Sequence, residues 1–496
     1  MKKFSKILWI WIAGLTVSSC TKMLDLTPVS QISNSSFWKT ESDAKGATAG
    51  MYAHLRTQAI NNLFLWGEAR SDAMGPGLIA PVFQNWYLNI LTPDNSESIF
   101  SGASTDWLGL YTVIHDCNLI LNYVPGISFA SQDDKNKVLA QAYAMRAYTY
   151  FVLVRTWGDV PLVTDPVTNL KNIQIPRAAV SDVFKQIKGD IDQAVTLFPD
   201  NSFPTGRYTW SQPAVNALKA DVYLWTGKML GGGSADFTTA LTACNEVQNA
   251  AVTLLPNFAD VFNYNNEGNQ EMLFEIRRTY AEDNESSIYA WMYIIPPFIP
   301  TNTDTATINA IGVPGGAPYM SPSVKSVNEF TADDTRKMVS LTEIDTYDQS
   351  NNKTYLTSVV AKFNGIVLSG VRYFINDYIV YRYADVLLMK AEAENALGTD
   401  PSAEINLVRQ RAYGTNYSSH VFVSGAADQN DLAILDERYK ELMFEGKRWW
   451  DLIRFGQAFD QVPSLMGMGT NNNLLLFPIN TNTLSLNAAL TQNPGY

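Results

Sequence analysis

The 496-residue chain carries 36 Lys and Arg against 48 Asp and Glu, a formal charge of −12 that falls by three to −15 if Lys2, Lys3 and Lys6 leave with a signal peptide. With no basic cluster, this balance argues against nucleic-acid binding. Charged residues make up only 17% of the chain, against roughly 25% for an average soluble domain, while 12% is aromatic, with 24 Tyr and 12 Trp, so rings and amides stand where another protein would place charge.

The first nineteen residues have three parts: a basic start, a mostly apolar run from Ile7 to Val17, and the small pair Ser18–Ser19. That is the layout of a secretory signal peptide over 1–19, with an apolar run too short to span a bilayer. The small residues before Cys20 in "TVSSC" resemble the lipobox of bacterial lipoproteins, which makes Cys20 the expected lipidated first residue of the mature chain. Several acyl chains on one residue hold a protein firmly at a membrane, where a single chain does not. Cys117 and Cys244 lie far apart in helical-looking apolar segments and are expected as buried free thiols.

A first helix is signalled by "TESDAKGATAGMYAHLR", with Thr40 and Asp43 in capping-box positions. Residues 61–105, rich in Gly, Pro, Asn, Asp and Ser, read as irregular, and a second helix begins near Asp106. In "KNKVLAQAYAMRAYTYFVLVRTWGDVPLV", Ala140, Ala144 and Ala147 share a helical face with Phe151, a pattern for close helix contact. Alanine-lined helices recur as "SQPAVNALKADVYLWTGK" and "RYADVLLMKAEAENALG", each followed by a shorter partner, "DFTTALTACNEVQNA" and "PSAEINLVRQRA". These are degenerate tetratricopeptide-like pairs, expected to stack so that each buries its neighbour's apolar face. Between about 252 and 380 the helical signal fades: "EMLFEIRRTY" reads as a short strand, and residues 289–320 as a long Pro/Gly/Thr/Asn-rich loop of the functional kind.

In "ERYKELMFEGKRWWDLIRFG", residues 437–456, the residues Tyr439, Leu442, Met443, Gly446, Trp449, Trp450 and Ile453 fall on one helical face. Glu441, Glu445, Lys447, Arg448, Asp451 and Arg454 occupy much of the remainder, and six residues apart on one helix Glu445 and Asp451 point away from each other, a structural rather than catalytic pair. This segment closely resembles the C-terminal hallmark of the SusD/RagB family of outer-membrane lipoproteins in Bacteroidetes. The lipobox followed by "LDLTPVSQISNSSFWKTESDAKGATAGMYAHLR", then "AQAYAMRAYTYFVLVRTWGDVPLV", "YRYADVLLMKAEAENALG" and the final "LTQNPGY" resemble further family segments in the family's order.

The resemblance implies a mostly α, SusD-like fold: tetratricopeptide-like helix pairs forming a scaffold that carries an irregular, loop-rich ligand-binding region and a few short strands. After the signal peptide it implies one SusD-like chain over 20–496, with the helix pairs in about 20–250 and a RagB/SusD half over about 251–496. It also implies cell-surface binding of oligosaccharide or polysaccharide fragments and their delivery to a SusC-like TonB-dependent transporter, the chain facing the cell exterior from an outer-membrane lipid anchor on Cys20. RagB-like peptide binding is the alternative, and a hydrolase, built from two carboxylates that the fold brings together, the remote one. No catalysis is attributed to the family.

A sugar lays its C–H faces on aromatic rings and pairs its hydroxyls with short polar side chains. Two segments offer that combination: residues 66–95, with Trp86, Tyr87, Asn85 and Asp72, and residues 289–319, with Tyr289, Trp291, Tyr293 and Tyr319. Trp107, Trp157, Trp225, Trp449 and Trp450 lie in helical motifs and are expected in the core. The three histidines, His54, His115 and His420, have no metal-ligand spacing, and no G-x-S-x-G, Walker A or G-x-G-x-x-G occurs, so neither metal nor cofactor is expected. "NYNNEGNQEMLF" mimics a calcium loop, but Phe274 stands where the bidentate acid belongs.

Overall fold

The structure is a computed structural model that describes residues 37–79, 83–93, 105–167, 174–281, 287–469 and 471–496. The signal peptide and Cys20 lie outside the described residues.

Helix α1 (Glu41–Phe64) opens with the expected capping box: the Asp43 carboxylate accepts from the Thr40 N–H at 2.7 Å, and the Thr40 hydroxyl accepts from the Asp43 N–H at 3.2 Å. The chain stays helical past residue 61, against the expectation of an irregular stretch, and then widens into a buried π-helical turn, Leu65–Ala69. A short helix α2 (Gln84–Tyr87) precedes α3 (Leu108–Tyr123), α4 (Gln132–Trp157) and α5 (Val180–Leu197). Ala140, Ala144, Ala147 and Phe151 of α4 are all fully buried, and the missing side-chain bulk lets α4 pack between α3 and α5. Helices α6 (Gln212–Met229) and α7 (Gly233–Gln248) form the next pair, and α8 (Tyr383–Ala396) and α9 (Ser402–Tyr413) another, with α8 also resting on α7. The pairs read from the alanine spacing are therefore present and stacked.

The strands are short and antiparallel: β1 (Met74–Pro76) pairs with β3 (Met320–Pro322), β2 (Met272–Ile276) with β8 (Tyr378–Arg382), β4 (Leu341–Tyr347) with β5 (Lys353–Val360), and β6 (Ile366–Leu368) with β7 (Val371–Tyr373). Strand β2 is the strand foreseen in "EMLFEIRRTY", and all of its residues are buried.

The 437–456 segment departs from its reading as one amphipathic helix. Helix α10 (Ala427–Leu442) stops, Phe444 and Gly446 take left-handed backbone angles (φ 68° and 77°), and α11 (Arg448–Arg454) starts in a new direction. The charged residues are not a solvated face either, since Glu441, Glu445, Arg448, Asp451 and Arg454 are each 4% exposed or less. Arg382 of β8 reaches Glu441, Glu445 and Glu271, and Arg454 reaches Glu392 of α8 and Asp221 of α6. Buried charges survive only when paired, and here the pairing clamps the hallmark segment to strand and helix partners more than 50 residues away.

The π turn of α1 docks against the same break. Glu68 accepts from the backbone N–H groups of Phe444, Lys447 and Arg448, and so caps the start of α11. A Cβ on Gly67 would lie 1.9 Å from the carbonyl oxygen of Gly446, so two glycines are what allow the backbones to touch. Trp107, Trp157, Trp225, Trp449 and Trp450 are all in the core, and Cys117 and Cys244 are buried free thiols, as expected from their helical contexts.

Candidate ligand-binding site

Two loop segments far apart in sequence are brought together by the β1–β3 ladder, which pairs Met74 with Pro322 and Pro76 with Met320. The ladder is prolonged where Gly77 N–H donates to Tyr319 O (3.2 Å) and Ile79 N–H to Pro318 O (3.0 Å). Beyond it, the Phe83 ring lies 5.4 Å from Trp291, and Trp291 meets Tyr319 edge-on at 6.4 Å. The Tyr319 N–H donates to the Trp291 carbonyl at 3.0 Å, which ties the two backbones together beside the ring pair. The nominated segments thus converge, through a residue, Phe83, that the sequence reading did not single out.

Against expectation, four of the eight residues proposed to contact a ligand, Trp86, Tyr289, Tyr293 and Asp72, face inward. Trp86 is 4% exposed and packs 5.5 Å from Phe477. Tyr289 stacks on Phe363 at 4.5 Å, and Tyr293 donates its hydroxyl to Ile311 O at 2.8 Å; each is 2% exposed. Neither ring offers a face to a sugar in this conformation. Asp72 is bound by Arg448 and Lys325; burial opposes its ionisation, but the hydrogen bonds and charges of these partners outweigh it and hold its pKa below the ordinary value. The physical reason is common to all four: each is claimed by a partner far away in sequence, a ring, a carbonyl or a cation, that local composition does not reveal.

Asn85, Tyr87, Trp291 and Tyr319 are half-buried, each with part of its surface open. Asn85 and Tyr87 share α2, and Trp291 and Tyr319 form the ring pair. The Tyr87 hydroxyl is enclosed with no hydrogen-bond partner among the described residues. The sequence reading also passed over Tyr280, which is 47% exposed and meets Tyr373 edge-on at 4.8 Å. Its place directly after β2 made it look like a continuation of that strand.

Carboxylates do crowd at one place, around the β2–β8 ladder. Glu267 accepts from Asp377 N–H (2.8 Å), Glu275 from Gly268 N–H (2.7 Å), and Asp377 from Arg278 N–H. Burial, then the charge of Asp377, pushes Glu267 up to about 9; burial pushes Asp377 up to about 7 and Glu275 well above its ordinary value. Raised carboxyls are what a glycosidase acid needs, but Glu275 is 2% and Asp377 5% exposed, closed off from substrate. Among the described residues no group of three or more His, Cys, Asp or Glu side chains is placed to hold a metal.

Stacked helix pairs bearing a loop surface of partly open rings define a helical binding scaffold. Known proteins give that scaffold a name. The sequence model of the SusD family matches residues 249–496, and a second model, described as starch-binding associating with outer membrane, matches residues 24–224. Among relatives, SusD-like protein P38 of Formosa agariphila is 29% identical over 532 aligned residues, which span 100% of both chains. Among solved structures, B. fragilis NanU is 36% identical with a TM-score of 0.84, covering 95% of this chain and 99% of that one. A SusD superfamily protein from Bacteroides vulgatus is 30% identical with a TM-score of 0.82, covering 92% of this chain and 100% of its own. The chain belongs to the SusD family.

Proposed function

We propose that the chain captures oligosaccharide or polysaccharide fragments at the outer face of the outer membrane and delivers them, without catalysis, to a SusC-like TonB-dependent transporter. The observation that carries this reading is the match of residues 24–224 to a family described as starch-binding and outer-membrane-associated, a stretch that contains Asn85 and Tyr87. The geometry agrees with it: the open parts of Trp291 and Tyr319 provide rings for sugar C–H faces, Phe83 packs against Trp291, and the partly open Asn85, two residues on from Phe83, offers a polar group. No described helix is long and apolar enough to cross a membrane, and in this reading the lipid on Cys20 supplies the anchor.

Whole cells producing the protein test both halves of the proposal. Cells with the native chain are expected to retain fluorescent neutral polysaccharide at their surface and to yield a TonB-dependent transporter on mild-detergent purification, and cells with Cys20→Ala to lose surface retention. Retention of labelled peptides in place of every polysaccharide would move the protein to the peptide-binding alternative.

A further inference from the structure

Lined by neither Trp291 nor Tyr319, a cleft of about 780 Å³ opens between residues 259–265, the junction of the short helix Arg336–Ser340 with β4, and the 361–368 segment that runs into β6. This is within the range of roughly 300–1,000 Å³ typical of small-ligand sites. Its wall includes Met338, 82% exposed, with Val367 and Leu368 at 42% and 39%. These apolar side chains on one concave wall offer a surface that a ligand's C–H faces can cover.

The polar groups of the cleft are of one kind. Tyr264, Asn265, Thr342 and Asn364 contribute two hydroxyls and two amides, and among the described residues none of these side-chain groups has a hydrogen-bond partner. They contrast with the neighbouring Asn263, whose side chain is occupied by the Asn265 N–H. Among the described residues the single charged one lining the cleft, Lys362, is 2% exposed, and its ammonium is committed to the carbonyls of Glu441 and Met443 and to the Glu445 carboxylate. In a chain of net charge −12 the described residues of the cleft therefore present no usable charge of either sign.

We propose that this cleft is a second ligand site, and that its ligand is an uncharged, hydroxylated oligosaccharide. A phosphorylated, sulfated or carboxylated ligand would leave its charge unmatched there, at a cost that neutral amides do not offset. A saccharide matches both surfaces at once, its C–H faces on Met338, Val367 and Leu368 and its hydroxyls on the amides and hydroxyls of the rim. Two sites on one protein engage two stretches of the same polysaccharide, and the second contact is then effectively intramolecular, which raises avidity for long chains over short ones.

The inference rests on the glycan-binding reading, and the experiment separates the two. The probes are neutral gluco-, xylo- and manno-hexaoses, with a sulfated oligosaccharide, a polyuronate and mixed hexapeptides as contrasts. The readouts are calorimetric stoichiometry and the ¹³C-methyl resonance of Met338 in the full mature chain. A neutral hexaose is expected to shift the Met338 methyl saturably, and Asn265→Ala/Asn364→Ala, a change confined to exposed side chains, to weaken that event tenfold or more while leaving the Trp291 site intact. A neutral hexaose that binds, is lost with Trp291→Ala and leaves Met338 unmoved would overturn the second site alone. Failure of every saccharide to bind would overturn both readings, and a Met338 response to peptides or charged sugars only would overturn the assigned ligand class.

Discussion

Tyr87 and Asp72 show why single residues on this loop surface were hard to read. In sequence both are polar groups beside Gly, Pro and Asn, the setting of a sugar-binding loop. The partner that claims Asp72, Arg448, lies 376 positions away, so nothing local betrays the ion pair. Asp72→Asn is expected to cost about 3–5 kcal/mol by leaving Arg448 buried and underpaired, seen as a lower melting temperature with glycan affinity per folded molecule unchanged. Tyr87→Phe removes an enclosed hydroxyl that has no partner, and relief of that desolvation penalty should raise stability by about 1 kcal/mol; a loss of similar size on denaturant unfolding would show that the hydroxyl is satisfied in solution.

At the level of elements, spacing located α4, α6 and α8 well because each buries an alanine-lined face, and missed α5 (Val180–Leu197), which has a single alanine. It failed where backbone geometry overrides pattern. Residues 437–456 keep helical spacing of their apolar residues on both sides of a break that only the left-handed Phe444 and Gly446 reveal. The same break receives Gly67, so Gly67→Ala should destabilise by at least about 2 kcal/mol through forced separation of α1 from α11, measurable as a fall in denaturation midpoint.

The β2–β8 carboxyls give this region a pH dependence. Arg207 faces Glu275, and Arg56, Arg277 and Arg278 face Asp377, yet all three acids titrate above their unfolded values of 4.5 and 3.8. The fold therefore holds protons that the unfolded chain has released, and this stability, fully present below the unfolded values, is lost progressively as pH rises from them through the folded values of about 7 and about 9. The melting temperature should fall between pH 6.5 and 9.5, and Glu267→Gln, which keeps an acceptor for the Asp377 N–H, should flatten that fall. An unchanged slope would locate the alkaline sensitivity elsewhere.

On the scale of the whole molecule, family and architecture were legible because they are spread over many weak signals in a fixed order, from "AQAYAMRAYTYFVLV" to "LTQNPGY". The ligand surface was legible only in part. The two nominated segments do meet, but which of their rings face outward depends on contacts such as Tyr289 with Phe363 and Trp86 with Phe477, made across long sequence separations. The buried ion pairs that bind α6, α8, β8, α10 and α11 together are invisible to composition for the same reason, since a low overall charge content conceals how many of those charges are internal.

The central claim is glycan capture at the Trp291–Tyr319 surface, and calorimetric titration of the mature chain with neutral oligosaccharides, beside mixed oligopeptides, tests it most directly. Saturable heat with a neutral glycan, with one binding event weakened tenfold or more (about 1.4 kcal/mol) by Trp291→Ala and none weakened by Tyr289→Phe, is the predicted result. Heat with peptides only, or glycan binding indifferent to Trp291→Ala, would contradict it.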